Sequence, residues 1–152
     1  MWDNWTPGAG NGRHFVQYNI IERALEMLRV GGLVAYSSCA INPIENEAVL
    51  ARLMKLSQGS VELVDVQGRL PGFKWAKGHT SWKVFDSEMN EYEKFEDCPE
   101  KVANTQIHPA MFSSNYVPDD GKVDYHLERC MRLLPHHNVS LHFLVSISKD
   151  FQ

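Results

Sequence analysis

Between residues 13 and 29 apolar residues recur at helical spacing: Ile20, Ile21, Ala24, Leu25 and Leu28 would share one face, with Gln17 one turn earlier. Gly31-Gly32 closes that predicted helix. Leu33-Val34-Ala35-Tyr36 follows, a short apolar run with the pattern of a buried strand. A second helix is predicted over 43–56, with Val49, Leu50, Leu53 and Met54 on one face and Gly59 as terminator. Val61 to Val66 then alternates apolar and polar, as a half-buried strand does. Residues 33–66 therefore predict a strand–helix–strand unit with parallel strands and a right-handed crossover.

The rest of the pattern is weaker. Residues 1–12, rich in Trp, Gly and Asn, predict irregular chain, and Gly8-Ala9-Gly10-Asn11-Gly12 follows no strand that would make it a phosphate loop. Residues 67–125 predict a loop-rich insertion within a single unit over 1–152, one domain or part of one. Inside the insertion, residues 81–85 and 92–95 fit a loose hairpin, the acidic run 88–100 a solvated surface, and 105–112 an extended segment around Pro109. Residues 126–134 fit either a helix or a strand. After a turn at 135–138, residues 141–148 predict a last, buried strand antiparallel to its neighbours.

Composition adds bounds. The 152 residues are 43% hydrophobic and 22% charged, ordinary for a globular protein and enough for one domain or part of one. No apolar run reaches membrane-spanning length and the start does not read as a signal peptide, so the expectation is an intracellular protein without a membrane partner. Three cysteines without close pairs suit a reducing compartment and supply no zinc framework. Among the seven histidines none shows the i, i+4 spacing of a helical metal pair, so no metal site is predicted. The net charge of −4 does not suit a nucleic-acid binder, which must neutralise phosphates.

The candidate chemistry lies at Cys39, between the strand ending near Tyr36 and the helix beginning near Pro43. Asn42 can cap that helix, Pro43 suits its first position, and Glu45 completes an Asn version of the capping box. Ligands of open α/β sheets bind at such turns, and the amino end of a helix favours a thiolate over a thiol. Position alone leaves two readings equally open, a nucleophile and a buried structural cysteine. Cys98 and Cys130 lack this setting; Cys98 reads as surface and Cys130 as core.

The stretch Tyr36-Ser37-Ser38-Cys39, followed by Asn42-Pro43-Ile44-Glu45-Asn46-Glu47, resembles the catalytic-cysteine motif of the Nop2/Sun family of RNA (cytosine-5)-methyltransferases. Ser38 stands where the family usually has Thr, and Ala40 where it has Ser. Further stretches resemble the eukaryotic tRNA-modifying branch: residues 70–75, 81–84, 105–112 and 126–137. The resemblance covers nearly the whole chain but only the later, C-terminal part of the family's catalytic domain. It implies an α/β fold: the later strands of the seven-stranded mixed sheet of a Rossmann-like S-adenosylmethionine-dependent methyltransferase.

It also implies a function, an RNA methyltransferase acting on tRNA with Cys39 as nucleophile, and a nuclear or nucleolar location. Ser38, Pro43, Asn46 and Glu47 become candidate substrate-binding residues, although Glu45 and Glu47 could equally serve only to complement the helix dipole. The family's glycine-rich cofactor loop, its acidic residue after the second strand and its second, Pro-Cys cysteine are not found here. No cofactor-binding residue is therefore assigned in this chain, and the implied S-adenosylmethionine would be held by a missing N-terminal part. The family's Gly-Phe-Phe reads Leu141-His142-Phe143. The alternative is a catalytically inert interaction module derived from the half-domain. A third reading, a cysteine hydrolase, would need His136 or His137 paired with Cys39. An uncovered sheet edge beside residues 33–36 would favour self-association.

Overall fold

The computed structural model describes residues 6–103, 105–116, 124–138 and 142–149. Helix α1 runs from Pro7 to Met27, so the expected irregular chain is corrected over residues 7–12; residues 1–5 lie outside the described residues. Thr6 starts the helix: its hydroxyl accepts from the Ala9 N–H at 3.2 Å, and Pro7 occupies the first turn. Each internal glycine weakens a helix by about 1 kcal/mol, but one of these glycines is required by packing. A Cβ on Gly10 would lie 2.3 Å from Asn42 Nδ2 and 3.0 Å from Glu45 Oε2. Gly10 thus lets α1 approach the turn that carries Cys39.

Strand β1 (Leu33–Ser38) leads through a 3-10 turn (Pro43–Glu45) into helix α2 (Glu47–Ser57) and strand β2 (Val61–Val64). The expected second helix is thus divided, with Asn42 capping the 3-10 turn rather than α2. Short strands β3 (Ala76–Lys77), β4 (Val84–Phe85) and β5 (Glu91–Tyr92) follow, then β6 (Met131–Leu133) and β7 (His142–Lys149). The β4–β5 pairing is the expected hairpin. Residues 126–134 contain a 3-10 turn, Leu127–Arg129, and then β6. Residues 105–112 are not simply extended: Pro109–Met111 is a 3-10 turn, and Ile107, Met111 and Phe112 are buried.

The last strand organises the sheet. One edge of β7 pairs along all of β1, Leu33 opposite Ser148 and Ser38 opposite Phe143. Its other edge pairs with β2 near its end, Val61 opposite Lys149, and with β6 near its start, Leu133 opposite His142. β3 then pairs with β6. Every one of these pairings is antiparallel. β1 and β2 run parallel to each other as expected, but β7 lies between them, so they are not hydrogen-bonded neighbours. Helices α1 and α2 cover one face, where Tyr18, Ile21 and Leu25 meet Leu50, Leu53, Tyr36, Val145 and Ile147. A second cluster, Ile44, Ala48, Val84, Ile107, Met111 and Phe112, anchors the middle segment to the start of α2.

One ion pair is buried between these layers. Arg132 on β6 is 5% exposed and Glu47 at the start of α2 is fully buried. Arg132 Nε and Nη2 donate to the two Glu47 carboxylate oxygens at 2.7 and 2.6 Å. Truncating one partner would strand a buried charge. Arg132→Met is therefore expected to cost about 3–5 kcal/mol, and the double variant Arg132→Met/Glu47→Leu to recover most of that loss. Urea unfolding of the two proteins checks this; a double variant as unstable as the single one would contradict it.

The opposite side of α1 and β1 is open. Val16, Ile20 and Met27 line an exposed apolar stripe on α1, and Leu33 on β1 is 55% exposed. Among the described residues β1 has β7 as its one strand neighbour, so its other edge is unpaired. Exposed apolar stripes beside free strand edges seek partners. The 152-residue chain is expected to self-associate with rising concentration, and Ile20→Lys to reduce this. Light scattering across a concentration series reads it, and a strictly monomeric wild-type chain would refute it.

Candidate active site

Cys39 is exposed, one residue past the end of β1. The loop that carries it, by contrast, is held at almost every step. Asn46, fully buried, accepts from the Ser38 hydroxyl at 2.5 Å and donates through Nδ2 to the Ala40 carbonyl at 3.0 Å. The Ala40 N–H donates in turn to Ser38 Oγ at 3.3 Å. Asn42 Oδ1 accepts from the Ile44 N–H at 3.1 Å. Arg132 Nη1 donates to the Ile41 carbonyl at 2.8 Å, so the guanidinium that neutralises Glu47 also grips the loop. From below, the Tyr36 hydroxyl donates to the Glu45 carbonyl at 2.8 Å, and the His14 ring meets the Ile44 carbonyl at 2.9 Å through Nδ1.

The four candidate substrate residues are thereby placed. Ser38 and Asn46 bridge the base of the loop, and Pro43 begins its 3-10 turn, half-buried. Glu47 receives Arg132 and, at 2.8 Å, the His79 N–H. The polar groups of Asn46 and Glu47 are therefore engaged inside the protein, where they fix the loop. Glu47 does more than complement a helix dipole: its partners come from β6 and from the segment after β3. Arg132, which the motif does not include, is the residue that sequence alone did not single out. Its signal was an arginine between Met131 and Leu133 on a buried strand, a position that demands an internal partner.

The thiols differ in setting. Burial pushes the Cys130 thiol up, with Glu47 adding to the effect. Burial, then the nearby Asp97, pushes the half-buried Cys98 thiol up. Burial also raises the Tyr36 hydroxyl, with Glu45 and Glu47 contributing, so it remains a hydrogen-bond donor. His14 is fully buried, and burial lowers it to about 4, against the opposing effect of its bond to Ile44; it is neutral near pH 7. His136 and His137 stack on each other 4.0 Å apart in the exposed turn after β6, and among the described residues neither is hydrogen-bonded to Cys39. The hydrolase arrangement is not assembled.

One cluster was hidden by helix logic. Asp124, His126 and Glu128 bring three polar atoms within 4.8 Å of one another. Residues two apart do not share a helix face, but His126 has a φ of +54° and turns its ring toward both carboxylates, at 3.4 and 3.2 Å. Its polar atoms meet one another, and none of these contacts reaches the cysteine loop.

No family model matches the chain. It is 41% identical over 148 residues to a tRNA (cytosine(34)-C(5))-methyltransferase of Drosophila melanogaster, covering 97% of this chain and 19% of that protein. A multisite-specific tRNA:(cytosine-C(5))-methyltransferase of Schizosaccharomyces pombe is 38% identical over 97% of this chain and 21% of its own length. Ribosomal RNA small subunit methyltransferase F of Shigella dysenteriae is 28% identical over 74% of this chain and 23% of its own length. In fold, the crystal structure of a methyltransferase homologue from Pyrococcus horikoshii aligns with a TM-score of 0.53 at 20% identity, over 94% of this chain and 32% of that one. The α/β arrangement, helices on one face of a mixed-order sheet, is thus like that of about a third of that protein. The chain spans about a fifth of the length of the eukaryotic relatives it matches. Over that span its sequence is similar to proteins named as RNA cytosine-C(5) methyltransferases.

Proposed function

We propose that this chain is the C-terminal part of the catalytic domain of an RNA cytosine-5 methyltransferase acting on tRNA, and that Cys39 is its nucleophile. The observation that carries the reading is the pairing of an exposed thiol with a loop whose backbone is fixed by Asn46 and Arg132. Nucleophilic catalysis gains most when the attacking atom is held in place before the substrate arrives.

Carbon 5 of cytosine is a poor nucleophile. The Cys39 thiolate adds to carbon 6, an S–C bond forms, and the C5–C6 π electrons move so that carbon 5 becomes enamine-like and can take a methyl group. A base then takes the carbon 5 proton, the C–H electron pair re-forms the C5–C6 double bond, and the C6–S pair leaves with sulfur, so that the ring expels the thiolate and regains its aromaticity. The base must leave its stack to reach the thiol. The relatives' names give tRNA as their substrate, and this supports tRNA here.

S-adenosylmethionine, the methyl donor that the family implies, does not fit the residues described. The turn from β1 into α2 contains no glycine, and its Ala40 and Ile41 carbonyls are already engaged by Asn46 and Arg132. We infer that the donor's main contacts lie outside this chain. A second reading, an interaction module without catalysis, draws on the open edge of β1. Reactivity at Cys39 separates the two.

Alkylation with iodoacetamide, mapped by mass spectrometry across a pH series, is expected to label Cys39 first, half-buried Cys98 later and buried Cys130 only on unfolding. Faster labelling of Cys98 or Cys130 would remove the case for a poised nucleophile. In the full-length protein, Cys39→Ala is expected to abolish both methyl transfer and a covalent RNA adduct, whereas Cys130→Ala lowers stability alone. Residual methylation near the wild-type rate in the Cys39 variant would place the nucleophile elsewhere.

A further inference from the structure

A net charge of −4 hides one strongly basic place. On the outer side of α2 a cleft of about 390 Å³ is lined by Arg52, Lys55, Leu56, His108, Asn115 and Tyr116, together with Pro109 and Ala110; among the described residues no acidic side chain lines it. Arg52 and Lys55 are three residues apart and therefore neighbours on the helix surface. The Arg52 guanidinium is stacked 4.0 Å over the Tyr18 ring and 5.0 Å from the Phe15 ring centroid. Lys55 donates to the Asn115 carbonyl at 2.9 Å and sits 5.7 Å over the Tyr116 ring. His108 packs edge-on against Phe15, 4.9 Å away, and completes the aromatic wall.

Among the described residues Arg52 makes no ion pair, and its buried Nη1 has no hydrogen-bond partner. Glu22, one turn along α1 from Tyr18, is engaged by the Tyr18 hydroxyl at 2.6 Å. The positive field is felt by its neighbours: after burial, Arg52 is a further cause lowering both His14 and His108. A half-buried guanidinium fixed on two rings, beside a second cation and without a carboxylate, has its exposed edge preset for an anion. Stacking fixes the plane of its fork, the geometry that suits phosphate oxygens.

We propose that this cleft binds phosphodiester groups of single-stranded RNA, with Arg52 and Lys55 as the charged contacts. The ligand class rests on the RNA reading above; the location rests on the cleft alone. Cations interleaved with aromatic rings suit an unpaired strand. The site also explains how an acidic chain can take part in RNA binding: the contact is local, and the acidic run at 88–100 lies on another segment.

The test is fluorescence anisotropy of an unstructured RNA oligonucleotide against the dilute 152-residue chain over a potassium chloride series. Each lost phosphate contact on a single strand lowers the log–log salt slope by about 0.7. Arg52→Gln and Lys55→Gln are each expected to show that drop. Arg52→Lys should keep the slope, and Arg23→Gln, at an exposed pair with Glu26, should leave it unchanged. Lys55 is exposed, so its variant keeps the test valid if Arg52→Gln fails to fold. Protection of Lys55 from acetylation by RNA, with Lys83 unprotected, reads the same contact without a mutation. Absence of RNA binding at low salt, a slope insensitive to both variants, or protection of Lys55 by inorganic phosphate but not by RNA would each overturn the proposal. If the full-length protein fails to methylate RNA while the slope changes hold, the methyltransferase reading falls and the site stands. Methylation dependent on Cys39 with an unaltered slope brings down the site alone.

Discussion

The buried bidentate contact between Glu47 and Arg132 is the constraint on which the rest of the site depends. Two ions withdrawn from water carry a desolvation penalty that attraction offsets only when the geometry is good and the remaining donors are satisfied. Here they are: three guanidinium nitrogens donate, two to Glu47 and one to the Ile41 carbonyl, while the carboxylate also accepts from the His79 N–H. Three segments that are distant in sequence, around residues 41–47, 79 and 132, thereby meet at one point. Apolar residues of similar volume could fill the same space, but none could hold a loop carbonyl. A lysine would provide a single point charge where the site uses a planar fork.

That division of labour explains why the motif residues face inward while the thiol does not. Asn46 and Glu47 look in sequence like groups that would meet a substrate. Their side chains instead supply the fixed frame, and Cys39 is left exposed on it. A flexible loop would lose much of the benefit of a nucleophile, because each attack would first have to order the chain. The same frame reaches α1 through His14 and through the close approach at Gly10. The helix before β1 is therefore part of the support of the cysteine turn as well as a cover for the sheet.

Much of this was legible. The apolar spacing of α2, the alternation of β2 and the glycine stop before β1 follow local rules, and local rules are what a sequence displays. The start of α1 escapes local rules: its glycines count against a helix, although Thr6-Pro7 is a sound start signal, and the reason for Gly10 is Asn42, 32 residues on. The insertion of β7 between β1 and β2 was equally out of reach, since pairing across about 80 to 110 residues leaves no periodic mark. The Cys39 loop was legible as a motif but not as a mechanism, because Arg132 and His79 enter it from other segments.

Charge follows the same logic. A net value constrains solubility and average field, whereas recognition depends on where charges sit. The acids of this chain concentrate along 86–100 and around His126, and several are engaged: Asp86 accepts from Asn90 and Tyr92, Glu91 pairs with Lys83. Among the described residues the cations on the outer face of α2 have no such counterpart, and their aromatic supports come from α1 and from the turn that ends at Tyr116. Lys83 and Arg23 carry the same charge as Arg52, but each is exposed and paired with a carboxylate, so water and a neighbour screen it. Arg52 is half-buried on a ring and, among the described residues, lacks that neighbour. The physical difference between a solvated surface charge and a binding charge is this combination of restricted geometry and missing compensation, and it becomes visible only when the fold brings Phe15, Tyr18 and Arg52 together.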